Sequence, residues 1–113
     1  MDKNFSSGNT SLLILSLLQE RDMYGYQMIE TLLLRSDNTF ALKAGTLYPL
    51  LHGLEKQGLV TAYEEGGGSA RVRKYYRITT KGLAQLAEKT SQWHAFAAAV
   101  NRVLEGGAKH ECI

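Results

Sequence analysis

Apolar residues recur along the chain first at helical spacing, then at strand spacing, then at helical spacing again. Leu12, Leu13, Ile14, Leu15, Leu17 and Leu18 make a stretch that is apolar almost all round, which predicts a helix buried on several sides. Asn9 or Thr10 can cap it, and it runs to about Gln19 behind a polar tail over residues 1–8. After the polar break Glu20-Arg21-Asp22, Tyr24-Gly25-Tyr26 opens a second helix to about Arg35, with Met28, Ile29, Leu32 and Leu33 inward. Ser36-Asp37-Asn38 is a turn signal, and Thr39 to Leu42 reads as a short extended pairing. Lys43 to Gly58 then carries Leu47, Leu50, Leu51 and Leu54 on one helical stripe, with Tyr48, His52, Glu55 and Lys56 facing away and Gly58 placed as a left-handed stop.

The period then falls to two. Leu59 to Glu65 predicts a strand, Gly66 to Ser69 a tip, and Arg71 to Ile78 a second strand. In that second strand Val72, Lys74, Tyr76 and Ile78 share one face, and Arg71, Arg73, Tyr75 and Arg77 share the other. The helical period returns from Thr79 or Thr80 to about Glu105, where Gly106-Gly107 is expected to end the helix. Here Leu83, Leu86, Thr90, Trp93, Ala97, Val100 and Leu104 keep a 3-4-3-4-3-4 spacing. This is the seam of a coiled coil, and Ala87, Phe96 and Val103 widen it. Nothing else in the chain is free to cover that seam. A homodimer through the last helix and the first is therefore expected, with Leu12, Leu13 and Leu15 on the first helix and the seven seam residues on the last.

Two helices joined by a short connection, the second with an apolar inner stripe and a hydroxyl-bearing front, form a helix-turn-helix pattern. Lys43, Thr46 and Tyr48 place a cation and two hydroxyls beside the unbonded amides of a first helical turn, which suits a phosphate. The arginine face of the hairpin suits a phosphate backbone. The fold class is therefore mainly α with a small β-hairpin, a winged helix-turn-helix with a long C-terminal dimerisation helix. Its divisions are residues 1–80 for the DNA-binding part, 81–106 for the dimer helix and 107–113 for a flexible tail.

Composition changes this picture little. The chain has 113 residues and a formal net charge of +2, so one domain is expected, and the placement of charge matters more than its sum. A lone cysteine, Cys112, excludes an intrachain disulfide framework. No apolar run is long enough to span a bilayer and no leader pattern opens the chain, so a cytoplasmic location is expected. His94, His110 and Cys112 lack zinc spacing, no nucleophile or carboxylate pair has a catalytic context, and no cofactor motif is present.

GTLYPLL at Gly45 to Leu51, LEKQGLV at Leu54 to Val60, and RKYYRIT at Arg73 to Thr79 followed by Gly82 together resemble the PadR family of transcriptional regulators, as does Tyr24-Gly25-Tyr26. The short single last helix resembles the family's small-subunit branch. The resemblance implies a dimeric winged-helix protein on a roughly palindromic operator, usually a repressor. Tyr24, Lys43, Ala44, Gly45, Thr46, Tyr48, His52, Arg71, Arg73, Lys74 and Tyr75 are the residues assigned to double-stranded DNA. In some relatives a tryptophan at this point of the last helix stacks on flat aromatic compounds, so Trp93, Phe96 and Ala97 are assigned to a possible small aromatic effector; core packing is the plainer reading.

Relatives often carry Ser or Asn where this chain has Lys43, which cannot accept a capping bond. Either the helix starts later, with Thr46 as cap and Pro49 in the first turn, or Lys43 replaces the cap with a phosphate contact and Pro49 lies deeper. Two functional alternatives stay open: a winged-helix protein-interaction module that never touches DNA, and a DNA-binding repressor with no ligand.

Overall fold

The computed structural model describes residues 7–66 and 71–110. The order is α1 (Ser7–Glu20), β1 (Met23–Tyr24), α2 (Gly25–Arg35), α3 (Ala44–Lys56), β2 (Val60–Glu65), β3 (Arg73–Ile78) and α4 (Thr80–His110). The leucine-rich pattern of α1 is explained within one chain. Ile14, Leu15, Leu17 and Leu18 are buried against Met28 and Leu32 of α2 and Leu47, Leu51 and Leu54 of α3. The sheet closes the other side of this core with Met23, Val60 and Tyr76.

The sheet is antiparallel, with strand order β1-β3-β2. Its β2–β3 register pairs Val60 with Ile78 at the base and Glu65 with Arg73 toward the tip. The first strand corrects the sequence reading. Residues 39–43 form no strand; the extended pairing belongs to Met23 and Tyr24, opposite Tyr76 and Tyr75. Met23 is buried, so its burial pins this two-residue segment to the sheet ahead of α2. The glycine-rich tip expected at Gly66 to Ser69 lies, apart from Gly66, outside the described residues.

Helix ends differ from expectation in α1 and α4, and in α3 the start that was left open is fixed. α1 starts at Ser7, so Asn9 and Thr10 lie inside it, and Thr10 is buried. α3 starts at Ala44 with Lys43 extended at the cap position and no side-chain cap, so the helix does not start later at Thr46, and Pro49 lies inside it. α4 continues through Gly106 and Gly107 to His110, well past the expected stop. Glycine costs a helix about 1 kcal/mol but stops one where the chain turns left-handed, and neither Gly106 nor Gly107 is among the described residues with positive φ.

That turn does occur after α3. Gly58 has φ of 77°, its amide bonds to the Glu55 carbonyl at 3.0 Å, and the Leu59 amide bonds to the Leu54 carbonyl at 2.9 Å. This double closure, with Leu54 and Leu59 both in the core, directs the chain into β2. Thr79 caps α4 by accepting the Gly82 amide at 2.9 Å on its hydroxyl. A Cβ on Gly82 would overlap the Leu59 carbonyl oxygen, so glycine is required where α4 leaves the sheet.

Among the described residues α4 packs mainly against α1, with a smaller contact to β3. The radius of gyration is 17.5 Å and the long axis is 72 Å, whereas a compact chain of this length has a radius near about 13 Å. α4 alone, 31 residues long, spans about 46 Å, and its outer half with Phe96, Val103 and Leu104 exposed projects from the head.

Candidate nucleic-acid interface

α3 presents its first turn to solvent. The first amides of this helix to find a carbonyl are those of Thr46 and Leu47, at 3.0 and 2.9 Å from the Lys43 oxygen, and no side chain caps the amides ahead of them. Lys43, Ala44, Gly45 and Thr46 are all exposed around this end. A Cβ on Gly45 would meet nothing within 4 Å. The packing of this chain therefore gives no reason for a glycine there, whereas a close-approaching phosphate would give one.

Tyr48 is held differently from the rest. A Cβ on Gly25 would overlap the Tyr48 hydroxyl, so the phenol lies directly over the first residue of α2. Its ring is half-exposed, locking the two helices of the helix-turn-helix together while one edge stays open. The sequence motif carried the tyrosine and the glycine, but only the fold brings them together. His52, one turn further on, is exposed.

The wing stands beside this tip. Tyr24, Tyr26, Tyr48, Arg71, Arg73 and Lys74 line a shared cleft of about 470 Å³ with Gly25 and Val72. Arg71, Arg73 and Lys74 are exposed, and the Arg73 guanidinium sits 4.7 Å from the centre of the Tyr24 ring. Tyr24 and Tyr75 are half-buried, edge to face, with ring centres 5.3 Å apart. Their rings support the wing, and Arg73 is its outward charge. Within Arg73 to Ile78 the alternation read from the sequence holds inside the sheet: Tyr76 is buried and Arg73 and Arg77 are exposed. Lys74 is exposed as well, with its ammonium 5.6 Å from the Tyr76 ring centre.

Two features of the wing were not legible. The register puts Glu65 opposite Arg73, where it dilutes the arginine face that the strand alone suggested, and Glu64 opposite Lys74 on the other face. Arg77 is also engaged. Its guanidinium contacts Asp22 at 2.9 Å and lies 5.2 Å from the Tyr63 ring centre.

A sequence model described as the transcriptional regulator PadR-like family matches residues 14–88. The chain belongs to the PadR family. It is 31% identical to the transcriptional regulator Rv3488 of Mycobacterium tuberculosis over 108 residues, covering 96% of this chain and 94% of that protein. It resembles the crystal structure of a PadR family regulator from Eggerthella lenta with 42% identity and a TM-score of 0.74, over 87% of this chain and 83% of that one. A PadR family regulator from Clostridium difficile aligns with a TM-score of 0.72 at 33% identity, over 83% and 96% of the two chains. PadR proteins are transcriptional regulators and not enzymes, and the family implies a DNA partner.

In this PadR-family chain the residues assigned to a dimer divide into three groups. Leu15 is fully buried and Leu86 nearly so, both in the chain's own core, so neither has surface left for a partner. Their assignment is corrected: the helical stripe read as one seam is shared between the head's core and the projecting half of α4. Thr90 is half-buried and donates its hydroxyl to the Leu86 carbonyl at 2.7 Å, and Leu12, Leu13 and Ala97 are half-buried. Leu83, Trp93, Val100 and Leu104 are exposed, as are Phe96 and Val103 beside them.

Trp93 and Phe96, with ring centres 5.8 Å apart, line a cleft of about 250 Å³ with Asn9, Leu12, Lys89 and Gln92. Ala97 is not among its lining residues. Among the described residues no three His, Cys, Asp or Glu side chains converge on a metal-sized site, and no helix is long and apolar enough to cross a membrane.

Proposed function

We propose that this PadR regulator is a homodimeric, cytoplasmic repressor that sets two α3 tips and two wings against one face of a roughly palindromic operator. The apolar surface of α4 carries this reading. Phe96, Val103 and Leu104 are each more than half exposed on a helix that projects from the head. No described residue of the same chain covers this stripe, and a second copy presents the same stripe. Pairing through α4, joined by Leu12 and Leu13 of α1, has to set the tips about 34–36 Å apart if both are to reach successive major grooves.

Lys43, Thr46 and the open amides of α3 then meet phosphate, with Ala44, Gly45, Tyr48 and His52 at the groove and Arg71, Arg73 and Lys74 on the flanking backbone. Tyr24 and Tyr75 act beneath Arg73. Operator occupancy blocks transcription. The cleft at Trp93 and Phe96 takes a planar aromatic effector whose insertion shifts α4 against α1 and changes the spacing of the tips.

Gly45→Ala tests the tip. A methyl there meets open space in the free protein, so thermal stability holds or rises, while operator affinity in fluorescence polarisation falls by about tenfold, the size of one charge-assisted contact. Unchanged affinity would remove the α3 tip from the interface. Trp93 is the only tryptophan, so quenching of its emission by planar aromatic cations or phenolic acids reports directly on the cleft. A flat titration would leave the repressor without this effector.

A further inference from the structure

The outer face of the sheet carries a continuous file of contacts, and the DNA-binding reading uses only its Arg73, Tyr24 and Tyr75 end. It begins at Arg73 over Tyr24 and passes from the Tyr24 ring edge to Tyr75. Tyr75 then stacks on Tyr63 at 5.7 Å with an interplanar angle of 14°. The Tyr63 hydroxyl donates to Asp22 Oδ2 at 2.6 Å, and the same oxygen accepts Arg77 Nε at 3.0 Å and lies 2.9 Å from Arg77 Nη2. Asp22 stands two residues after α1 and immediately ahead of β1. A single carboxylate oxygen thus gathers the hydroxyl of β2, the guanidinium of β3 and the end of the first helix.

We propose that Asp22 is a positioning residue for the wing, an internal counter-anion that occupies Arg77 in place of a DNA phosphate and anchors the aromatic file on which Arg73 rests. The geometry supports this in two ways, and the electrostatics agree. A guanidinium committed to a carboxylate through two nitrogens, with an aromatic ring on its face, must give up both to reach a phosphate. Asp22 is the more sheltered partner, with its side chain 26% exposed against 62% for Arg77, so the anion is held by the fold and the cation comes to it. Burial pushes the Asp22 carboxyl up, but the bonds from Tyr63 and Arg77 outweigh it and hold the group below its ordinary range, so it remains an anion at working pH. Of the four basic residues from Arg71 to Arg77, three then face DNA and the fourth sets the angle of the strand that carries them.

This inference rests on the proposed DNA-binding role, and the salt dependence of binding separates the two. Each phosphate neutralised contributes about 0.9 to the slope of log K against log salt. With a duplex of the native promoter in fluorescence polarisation, Arg73→Ala should flatten the slope by about one. Arg77→Gln should leave it unchanged. Asp22→Asn should steepen it by about one, because Arg77 is released, and should narrow the gap between operator and random DNA. Asp22→Glu, which keeps the counter-anion, should restore the wild-type slope. A flattening by Arg77→Gln equal to that by Arg73→Ala would make Arg77 a phosphate contact and overturn the proposal. Arg77→Gln alters an exposed side chain, so it tests the proposal even where Asp22→Asn fails to fold. Wild-type protein with no salt-dependent binding would instead overturn the DNA-binding role, and this proposal with it.

Discussion

The head and the projecting half of α4 use the same kinds of residue to opposite ends. In the head, Ile14, Leu15, Met28, Leu47 and Leu51 are wholly buried, and the core closes within one chain. Along α4, Leu83, Trp93, Phe96, Val100, Val103 and Leu104 are apolar and exposed. A leucine under the head is spent on folding; Leu104 is held in reserve for an encounter. The stability of the head should therefore be a property of the chain, and the arrangement of α4 a property of the concentration.

Leu47→Ala should show the first half of that contrast most strongly. Its side chain is fully buried where α3 meets the core, and truncation there costs about 2–5 kcal/mol. Urea unfolding followed by circular dichroism should show that loss equally at low and high protein concentration. A loss that vanishes at high concentration would mean that the head, too, depends on its partner.

Val103→Glu combined with Leu104→Glu addresses the second half. Both positions are well exposed, so the single chain should fold unchanged. Two carboxylates in each copy of the seam should split the proposed dimer, as light scattering would show. Losing the tethered second half-site should weaken operator binding by about 100-fold or more. An unaltered mass would place the dimer contact elsewhere and leave the α4 stripe without its assigned purpose.

The same contrast explains how much the sequence disclosed. Periodicity exposes a face that is buried in one piece, so Leu47, Leu51 and Leu54, the arginine alternation of β3 and the αL stop at Gly58 were all readable. It does not say what covers that face. Leu15 and Leu86 keep the same spacing as Leu12 and Trp93, yet they are covered by their own chain. The family motif named Tyr24, Tyr48 and Arg73 as residues of the interface. It could not show that Tyr48 lies on Gly25, that Tyr24 belongs to a strand, or that Asp22 meets Tyr63 and Arg77 across 41 and 55 residues. Contacts of that sequence separation leave no local pattern, and an aspartate in a polar break reads as a turn residue.

The smallest expected effect sharpens the comparison from the side of charge. The head has two ion pairs among its described residues, Asp22 with Arg77 and Glu20 with Arg35, and both involve the segment that ends α1. The bond from Arg35 holds Glu20 below its ordinary range, as the bonds from Tyr63 and Arg77 hold Asp22. A carboxyl with a depressed folded value favours the folded state fully above its unfolded value. As the pH falls, the unfolded chain takes up the proton first, and the benefit is lost through the window between the unfolded value, near about 4, and the lower folded one. The acid limb of the melting-temperature profile should therefore steepen below about pH 4 in the wild type. Asp22→Asn and Glu20→Gln should each remove part of that steepening while leaving the profile above about pH 6 parallel to the wild type. The Glu20 pair is half-exposed and salt should erase its share, whereas the share of Asp22, less exposed and bonded from two strands, should survive at high ionic strength. Equal erasure of both by salt would mean that Asp22 is no better sheltered than an ordinary surface pair, and the wing would lose its fixed anchor.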